Sequence, residues 1–269
     1  MSFCFKFSQI QTMDIFIVSV AAFLTAILTF FSGFGLGTIM TPVFIMFFPV
    51  DLAIALTGVV HFFNNLFKLV LVGKNARKPI LIRFGVPAVL AAFAGAFLLI
   101  NLTDLEPLFS YEAFGSTLTV YPLSFIVGLV LLFFAIIELL PFFDKLEFSQ
   151  SKLPLGGLLS GFFGGLSGHQ GALRSAFLIK AGLTKEAFIG TSVVIACFID
   201  FTRLSVYATR FGQAGLVENL TLVVFATLSA ILGAYLGNKL LKKITLKFLQ
   251  RFVAAMLIVI SLAMCAGVV

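Results

Sequence analysis

Long apolar runs separated by short polar stretches occupy almost the whole chain. Eight of them can be drawn: 14–48, 52–72, 80–102, 121–143, 153–181, 187–208, 216–240 and 246–268. A helical crossing of the bilayer needs about 20 apolar residues, and these runs reach or exceed that length. Strands are a poor alternative. An open sheet edge cannot be satisfied in lipid, and the alternation expected of barrel strands is missing. The pattern predicts an all-α integral membrane protein, with residues 1–269 forming a single membrane domain.

Two of the runs are interrupted by glycine. The first, 14–48, breaks at Gly33-Phe-Gly-Leu-Gly37; the fifth, 153–181, breaks at Gly161-Phe-Phe-Gly-Gly-Leu-Ser-Gly-His-Gln-Gly171. At 35 residues the first is too long for one crossing, and it divides into arms of about 19 and 11. The fifth divides into arms of about a dozen residues. At 1.5 Å per residue such an arm spans about 18 Å, reaching the bilayer middle and no further.

Each broken run is followed by three unbroken ones, so the chain reads as two copies, about 14–143 and 153–268. A shift of 133 places Gly35 on Gly168 and Asp51 on Thr184, and two further residues of shift set Asn65 and Lys68 against Asp200 and Arg203.

Charge decides how the copies are oriented. If all eight runs cross, with the N-terminus inside, the two faces hold eight and seven cations, contrary to the inside excess of Lys and Arg. If each broken run is a re-entrant hairpin, entering and leaving on one side, the repeats are inverted. Thirteen cations then lie inside and two, Lys6 and Arg210, outside, with Lys68, Arg174 and Arg203 within the membrane. The acidic loop 101–120, carrying Asp104, Glu106 and Glu112, falls outside. The expected fold is therefore two inverted repeats, each a re-entrant hairpin followed by three transmembrane helices.

Composition supports the membrane assignment. Hydrophobic residues make up 61%, charged residues only 11%, and 35 residues are Phe, with a mean hydropathy of +1.16; soluble domains carry about 25% charged residues. The net charge of +7 is dispersed over short loops. It lacks the clustered, water-exposed face that nucleic acid requires. Cys4, Cys197 and Cys265 have neither CxxC nor metal spacing and read as packing residues. No cofactor or metal site is expected, and the first apolar run reads as retained.

The breaks carry the strongest functional signal. The second arms begin near Thr38 and near Ala172, so free amides and positive dipole ends face the middle of the membrane, an arrangement suited to an anion. Discontinuous helices meeting at the midplane of inverted repeats form transporter sites. The alternative is close helix packing through glycine. The candidate substrate residues are Gly35, Gly37, Thr38 and Thr41 at the first break and Gly168, His169, Gln170, Gly171 and Arg174 at the second. Arg174 can hold an anion with a fork of hydrogen bonds, or pair with a carbonyl or with Asp200.

The candidate coupling or gating residues are His61, Asn64, Asn65, Lys68, Asp200 and Arg203. Asp200 and Arg203 share a helix face, as a structural bridge or as a proton or cation relay. His61 titrates nearest neutrality, or is simply hydrogen-bonded. Glu138 snorkels, and the 239–251 cations anchor topology. The carbonyl ends of the first arms either hold sodium or are capped.

Two other function classes were weighed. Gly165-Leu-Ser167-Gly168 fits the GxSG pattern of intramembrane serine proteases, but the following histidine, His169, is poorly placed as a base. An anion channel also selects at a constriction. No Walker A motif is present.

Three motifs then identify the chain as similar to the sulfite exporter TauE/SafE family, also called the toluene sulfonate uptake permease family. They are Gly33-Phe-Gly-Leu-Gly37 leading to Thr41-Pro42, Gly161-Phe-Phe-Gly-Gly-Leu-Ser-Gly168, and Phe188-Ile-Gly-Thr-Ser192. One stretch departs from the family, where His169-Gln-Gly-Ala-Leu-Arg-Ser175 replaces a double glycine leading to proline. The resemblance implies a small, multi-pass inner-membrane carrier of sulfite, organosulfonates or related sulfur anions. It would be a secondary transporter working by alternating access, not an enzyme. Its partners would be the anion, the lipid bilayer, a coupling proton or sodium ion, and a second copy in a homodimer.

Overall fold

The computed structural model describes residues 12–30, 35–113, 115–140, 148–210, 218–240 and 246–269. Gly33, Cys4, Lys6, Lys145, Lys242, Lys243 and the side chains of Glu138 and Lys247 lie outside that description.

The broken first run is α1 (Thr12–Thr29) and α2 (Leu36–Ile45), followed by α3 (Val50–Val72). A short helix, α4 (Lys78–Ile80), runs through a π-helical stretch at Leu81–Gly85 into α5 (Val86–Thr103). Pro87 explains that stretch. Its ring would clash with the carbonyl four residues back and it offers no N–H, and a wider turn relieves both. A hairpin of β1 (Phe109–Ala113) and β2 (Ser116–Val120) precedes α6 (Pro122–Leu139). The second half comprises α7 (Leu153–Ser167), α8 (Gly171–Leu178), α9 (Lys185–Tyr207), α10 (Leu220–Leu240) and α11 (Leu246–Cys265). Prolines stand in the first turn of α6 and α7, where the missing N–H has no helical partner anyway. Thr184 caps α9 by accepting from the Ala187 amide at 3.3 Å.

Among the described residues, five helices are long and apolar enough to cross a membrane: Thr12–Thr29, Val50–Asn75, Lys78–Thr103, Lys185–Tyr207 and Leu220–Lys239. Leu24, Val70, Leu90, Phe93, Phe201 and Leu228 point outward and are exposed, the surface that lipid would cover. The protein is an all-α, multi-pass membrane protein.

Helix directions follow from residue contacts. His61 touches Asp200, and the Phe62 and Phe201 rings lie 6.4 Å apart. Gly190 lies against the Val72 carbonyl. Numbers rise on one helix as they fall on the other, so α3 and α9 are antiparallel. Helices α6 and α11 are antiparallel too, with Phe125 against Cys265 and Gly128 against Ser261. Helices α5 and α7 run parallel: Gly157 faces Phe84, Gly161 faces Ala88 and Gly165 faces Ala92. So do α1 and α10, where Gly233 faces Phe23 and Gly237 faces Ile27.

These contacts also revise the extent of the second break. The sequence placed an interruption over 161–171, but α7 continues to Ser167 and only Gly168, His169 and Gln170 lie between it and α8. Gly161 and Gly165 are interior to α7, where a Cβ would fall 2.0 Å from the Ala88 carbonyl oxygen and 2.1 Å from that of Ala92. They let two backbones approach, which is small-residue packing. The arms are accordingly unequal, 15 residues in α7 and 8 in α8.

At the opposite face from the 73–78 turn, Arg210 forks onto Asp104 with two 2.7 Å hydrogen bonds and donates to the Ile100 carbonyl at 3.1 Å. This ties the end of α9 to the end of α5. The guanidinium holds the Asp104 carboxyl below its usual pKa through that hydrogen bond.

Two outcomes follow. Gly161→Ala should lower the thermal unfolding midpoint in detergent, because overpacking against backbone costs about 1–3 kcal/mol. Gly85→Ala, whose Cβ would sit 3.8 Å from Ile195 Cγ1, should not. Equal midpoints would show that α5 and α7 do not approach this closely. The Asp104 carboxyl, depressed in the folded state, stabilises the protein above the ordinary aspartate pKa of about 3.9. That contribution is lost as pH falls through the lower folded value. The midpoint gap between wild type and Asp104→Asn should therefore be small at neutral pH, since the pair is exposed, and should close in acid.

Candidate functional site

Both breaks contain a left-handed glycine, one opening α2 and the other closing α7. Gly35 takes a left-handed φ of 111° just before α2, and Gly168 takes 81° at the end of α7, a conformation glycine adopts without a Cβ penalty. Neither α2 nor α8 has a side-chain cap at its start. The first intrahelical bonds run from Ile39 to the Gly35 carbonyl and from Arg174 to the Gln170 carbonyl. The amides of Leu36, Gly37 and Thr38 in α2, and of Gly171, Ala172 and Leu173 in α8, therefore precede the helical ladder.

The two breaks meet. A Cβ on Gly37 would stand 3.1 Å from the Gly168 carbonyl oxygen and 3.8 Å from His61 Cδ2. Between them lies a cavity of about 30 Å3, room for one or two water-sized bodies. Its walls include Gly35, Gly37 and Thr38 from the first break, and Gly168, Gln170, Gly171 and Arg174 from the second. Helix α3 contributes His61, Asn65 and Lys68; α9 contributes Ile189, Ser192 and Val193. Ten of the fifteen residues singled out from sequence thus converge on one space.

The other five surround it. Thr41 Oγ1 donates to the Gly37 carbonyl at 2.9 Å, bracing the first turn of α2. Asn64 is buried in α3, and neither polar atom of its side chain has a hydrogen-bond partner among the described residues. His169 turns away, with its Nδ1 donating to the Ser167 carbonyl at 3.0 Å and its ring stacked on Phe134. Asp200 and Arg203 stand behind the cavity wall, both fully buried.

Asp200 is the junction of this polar core. Its Oδ2 lies 2.6 Å from His61 Nδ1. Oδ1 accepts from Gln170 Nε2 at 3.1 Å and from Arg203 Nε at 3.0 Å, and Arg203 Nη2 is 2.8 Å away. The Gln170 amide oxygen in turn accepts from Arg174 Nη1 at 2.8 Å. Because a carboxylate only accepts, His61 Nδ1 is the donor, leaving Nε2 to accept from Asn65 Nδ2 at 3.2 Å. One carboxylate thereby connects the second break, α3 of the first half and α9 of the second. Arg174 lines the cavity and is linked to Asp200 through Gln170.

Among the described residues, the buried charged side chains are Lys68, Arg174, Arg203 and Asp200. Three cations accompany one carboxylate, and Lys68 and Arg174 are the ones on the cavity wall. Lys68 Nζ also stands 5.3 Å over the Phe30 ring.

At the carbonyl end of α7 the Gly165 oxygen accepts from the Tyr207 hydroxyl and the Ser167 oxygen from His169; beyond it, at the start of α8, the Gln170 oxygen accepts from Ser160 at 2.9 Å. Ser167 Oγ donates to the Phe163 carbonyl at 3.1 Å, and His169 bonds the Ser167 backbone, so the GxSG match brings no base to the hydroxyl. Among the described residues no cluster of His, Cys, Asp or Glu has metal-binding geometry.

Sequence reasoning passed over Ser192 as a site residue. It is buried, lines the cavity, and its Oγ has no hydrogen-bond partner among the described residues. The signal was present in Phe188-Ile-Gly-Thr-Ser192, which served only for the family resemblance. Phe30, Ile189 and Val193 had no signal beyond hydrophobicity.

Lipid-facing helices around a polar core built on two helix breaks define a membrane protein of the transporter class. The family model described as sulfite exporter TauE/SafE matches residues 18–264, nearly the whole chain, and the protein belongs to that family. No curated protein and no solved structure matches the chain.

The Asp200 junction yields a stability test. Asp200→Asn leaves Arg203 buried without its counter-charge, which costs about 3–5 kcal/mol, so folded yield and unfolding midpoint should both fall. Adding Arg203→Gln should restore part of the loss. A single variant as stable as wild type would show that the pair is not a structural bridge.

Proposed function

We propose that the protein is a secondary carrier of small sulfur oxyanions, sulfite above all, which binds its substrate in the cavity between the two helix breaks. The observation that carries this is the convergence of the uncapped starts of α2 and α8, through Leu36, Gly37, Thr38 and Gly171, with Lys68 and Arg174 on one buried space whose described wall holds no carboxylate. Amides at helix starts supply partial positive charge, and the Arg174 guanidinium supplies directed donors. A cation at bilayer depth costs about 2.5–3.5 kcal/mol on the insertion scale. A bound anion offsets that for Lys68 and Arg174.

The size of the cavity favours a compact oxyanion. An aromatic sulfonate would need the breaks to separate well beyond this conformation. The capped carbonyls of α7 argue against a sodium ion at that helix end. A proton passing through His61 and Asp200 is the coupling that the hydrogen-bond chain supports.

The helix directions support the inverted-repeat reading. If α7 and α8 together made one crossing, α3 and α9 would run parallel, as would α6 and α11. Both pairs are antiparallel, as expected when α7 and α8 form a hairpin with no net crossing. Since α9 and α10 cross in turn, α10 has the direction of α3. Helix α1 is parallel to α10, so α1 and α3 agree, and the same parity makes α1 and α2 a hairpin. The exchange of partners between halves, α1 with α10 and α7 with α5, is the pattern of a duplicated fold. With Arg210 and Asp104 on one face and the 73–78 turn on the other, the cation excess assigns the latter to the cytoplasm of a cell inner membrane.

A pore would need a path to both faces. Gly58 packs on Arg203 and Leu204, and Tyr207 bonds to Gly165, closing the Arg210 side. That closure favours a carrier working by alternating access.

The test is a thermal-shift screen of purified protein against sulfite, sulfate, taurine, sulfoacetate and carboxylates. A ligand that binds only the folded state stabilises it by RT ln(1 + [L]/Kd). Sulfite should raise the midpoint of wild type and of His169→Ala, whose ring faces Phe134, but not of Arg174→Ala. Stabilisation that survives in Arg174→Ala would remove that residue from the site. A response to carboxylates alone would reject the sulfur oxyanion.

A further inference from the structure

The cavity occupies only one side of the Asp200–His61 contact. On α3 it is lined from His61 toward the C-terminus, and on α9 from Val193 toward the N-terminus. Because these helices are antiparallel, both stretches lead to the face bearing Lys74, Arg77 and Lys185. Nothing on the Arg210 side of the contact lines it.

The 135-residue offset that pairs Asn65 with Asp200 and Lys68 with Arg203 also pairs Ile54 with Ile189, Thr57 with Ser192 and Gly58 with Val193. Every cavity residue of α9 therefore has a counterpart on the buried side of α3. Thr57, the counterpart of Ser192, carries unused hydrogen-bonding capacity, and Arg203 of α9 is the counterpart of Lys68 on the cavity wall. Thr57 is fully buried, and its Oγ1 has no partner among the described residues. Arg203 is fully buried as well. Its Nε and Nη2 are turned to Asp200, its Nη1 edge lies toward the second break, and the Tyr207 hydroxyl is close to the guanidinium. The space beside that edge is bounded by the second break. A Cβ on Gly168 would stand 3.0 Å from Arg203 Nη1 and 3.8 Å from Thr41 Oγ1, and a Cβ on Gly58 would stand 3.3 Å from Arg203 Cζ.

We infer that Thr57 and Arg203, with Thr41 beside Gly168, form a second, latent anion-binding face that takes over from Ser192 and Lys68 when the carrier opens toward the Arg210 side. The inference rests on the anion-carrier and inverted-repeat reading above. In a protein made of two inverted copies, the opposite-facing state is reached when each half adopts the other's conformation. Residues that line the open side then become buried, and their counterparts become the lining. A hydroxyl without a partner in hydrocarbon is costly to keep, and an intermittent ligand accounts for that of Thr57. Arg203 can serve the anion with Nη1 while Nε and Nη2 keep Asp200, because the guanidinium presents donors on separate edges.

The test is sulfite flux in proteoliposomes of known orientation, with the half-saturating sulfite concentration measured separately at the Arg210 face and at the Lys74 face. Thr57→Val is close to isosteric and removes a hydroxyl that bonds nothing in this state, so it leaves folding intact. It should raise the half-saturating concentration about tenfold at the Arg210 face, the loss of one hydrogen bond to a charged ligand, and leave the Lys74 face unchanged. Ser192→Ala should do the reverse. If Ser192→Ala behaves so and Thr57→Val alters neither face, or both equally, the latent face is rejected and the carrier stands. Absence of saturable sulfite flux in the wild type rejects the carrier reading and this inference with it.

Discussion

Backbone amides and carbonyls cannot be left without partners in hydrocarbon, and this constraint shapes everything at the centre of the protein. A helix broken at bilayer depth exposes such groups at two ends, each worth several kcal/mol if unsatisfied. Here the carbonyl side of the second break is satisfied internally, by Tyr207, His169 and Ser160. On the amide side, neither α2 nor α8 has a side-chain cap. The starts of α2 and α8 turn toward one small polar space, and Lys68 and Arg174 share it.

Holding that space open requires a rigid frame. Part of it is the seam between α5 and α7, where Gly157, Gly161 and Gly165 bring two backbones together and so position Gly168. The other part is Asp200, whose carboxylate gathers His61, Gln170 and Arg203. Through Gln170 it orients Arg174 without consuming the face that Arg174 turns to the cavity. A buried ion pair is weak support for stability in itself. Its role here is to fix a cation beside a site that would otherwise expel one.

Much of this was readable from the chain, for identifiable reasons. Run lengths and glycine positions located the four arms because bilayer thickness leaves little freedom in how a long apolar segment folds. The offset between Asn65 and Asp200 singled out α3 and α9, and those two helices lie against each other. The extent of the second break was misjudged: Gly161 and Gly165 look the same in sequence as Gly168, yet the first two serve a helix seam and only the last takes a left-handed turn. Whether a glycine packs or breaks depends on the neighbour it meets, and the neighbour is 73 positions away in the chain. The direction of the His169 ring was not legible either, since it stacks on Phe134 of a different helix. Ser192 was missed because a single serine in an apolar helix has no pattern until the opposing wall is known.

The most direct measurement is an experimental structure with selenite, a heavier analogue of sulfite whose selenium can be located by anomalous scattering. The account predicts one strong peak between the starts of α2 and α8, within hydrogen-bonding distance of Arg174 and of the amides following Gly35 and Gln170. A peak elsewhere, or an empty cavity in protein that demonstrably transports the anion, would contradict it.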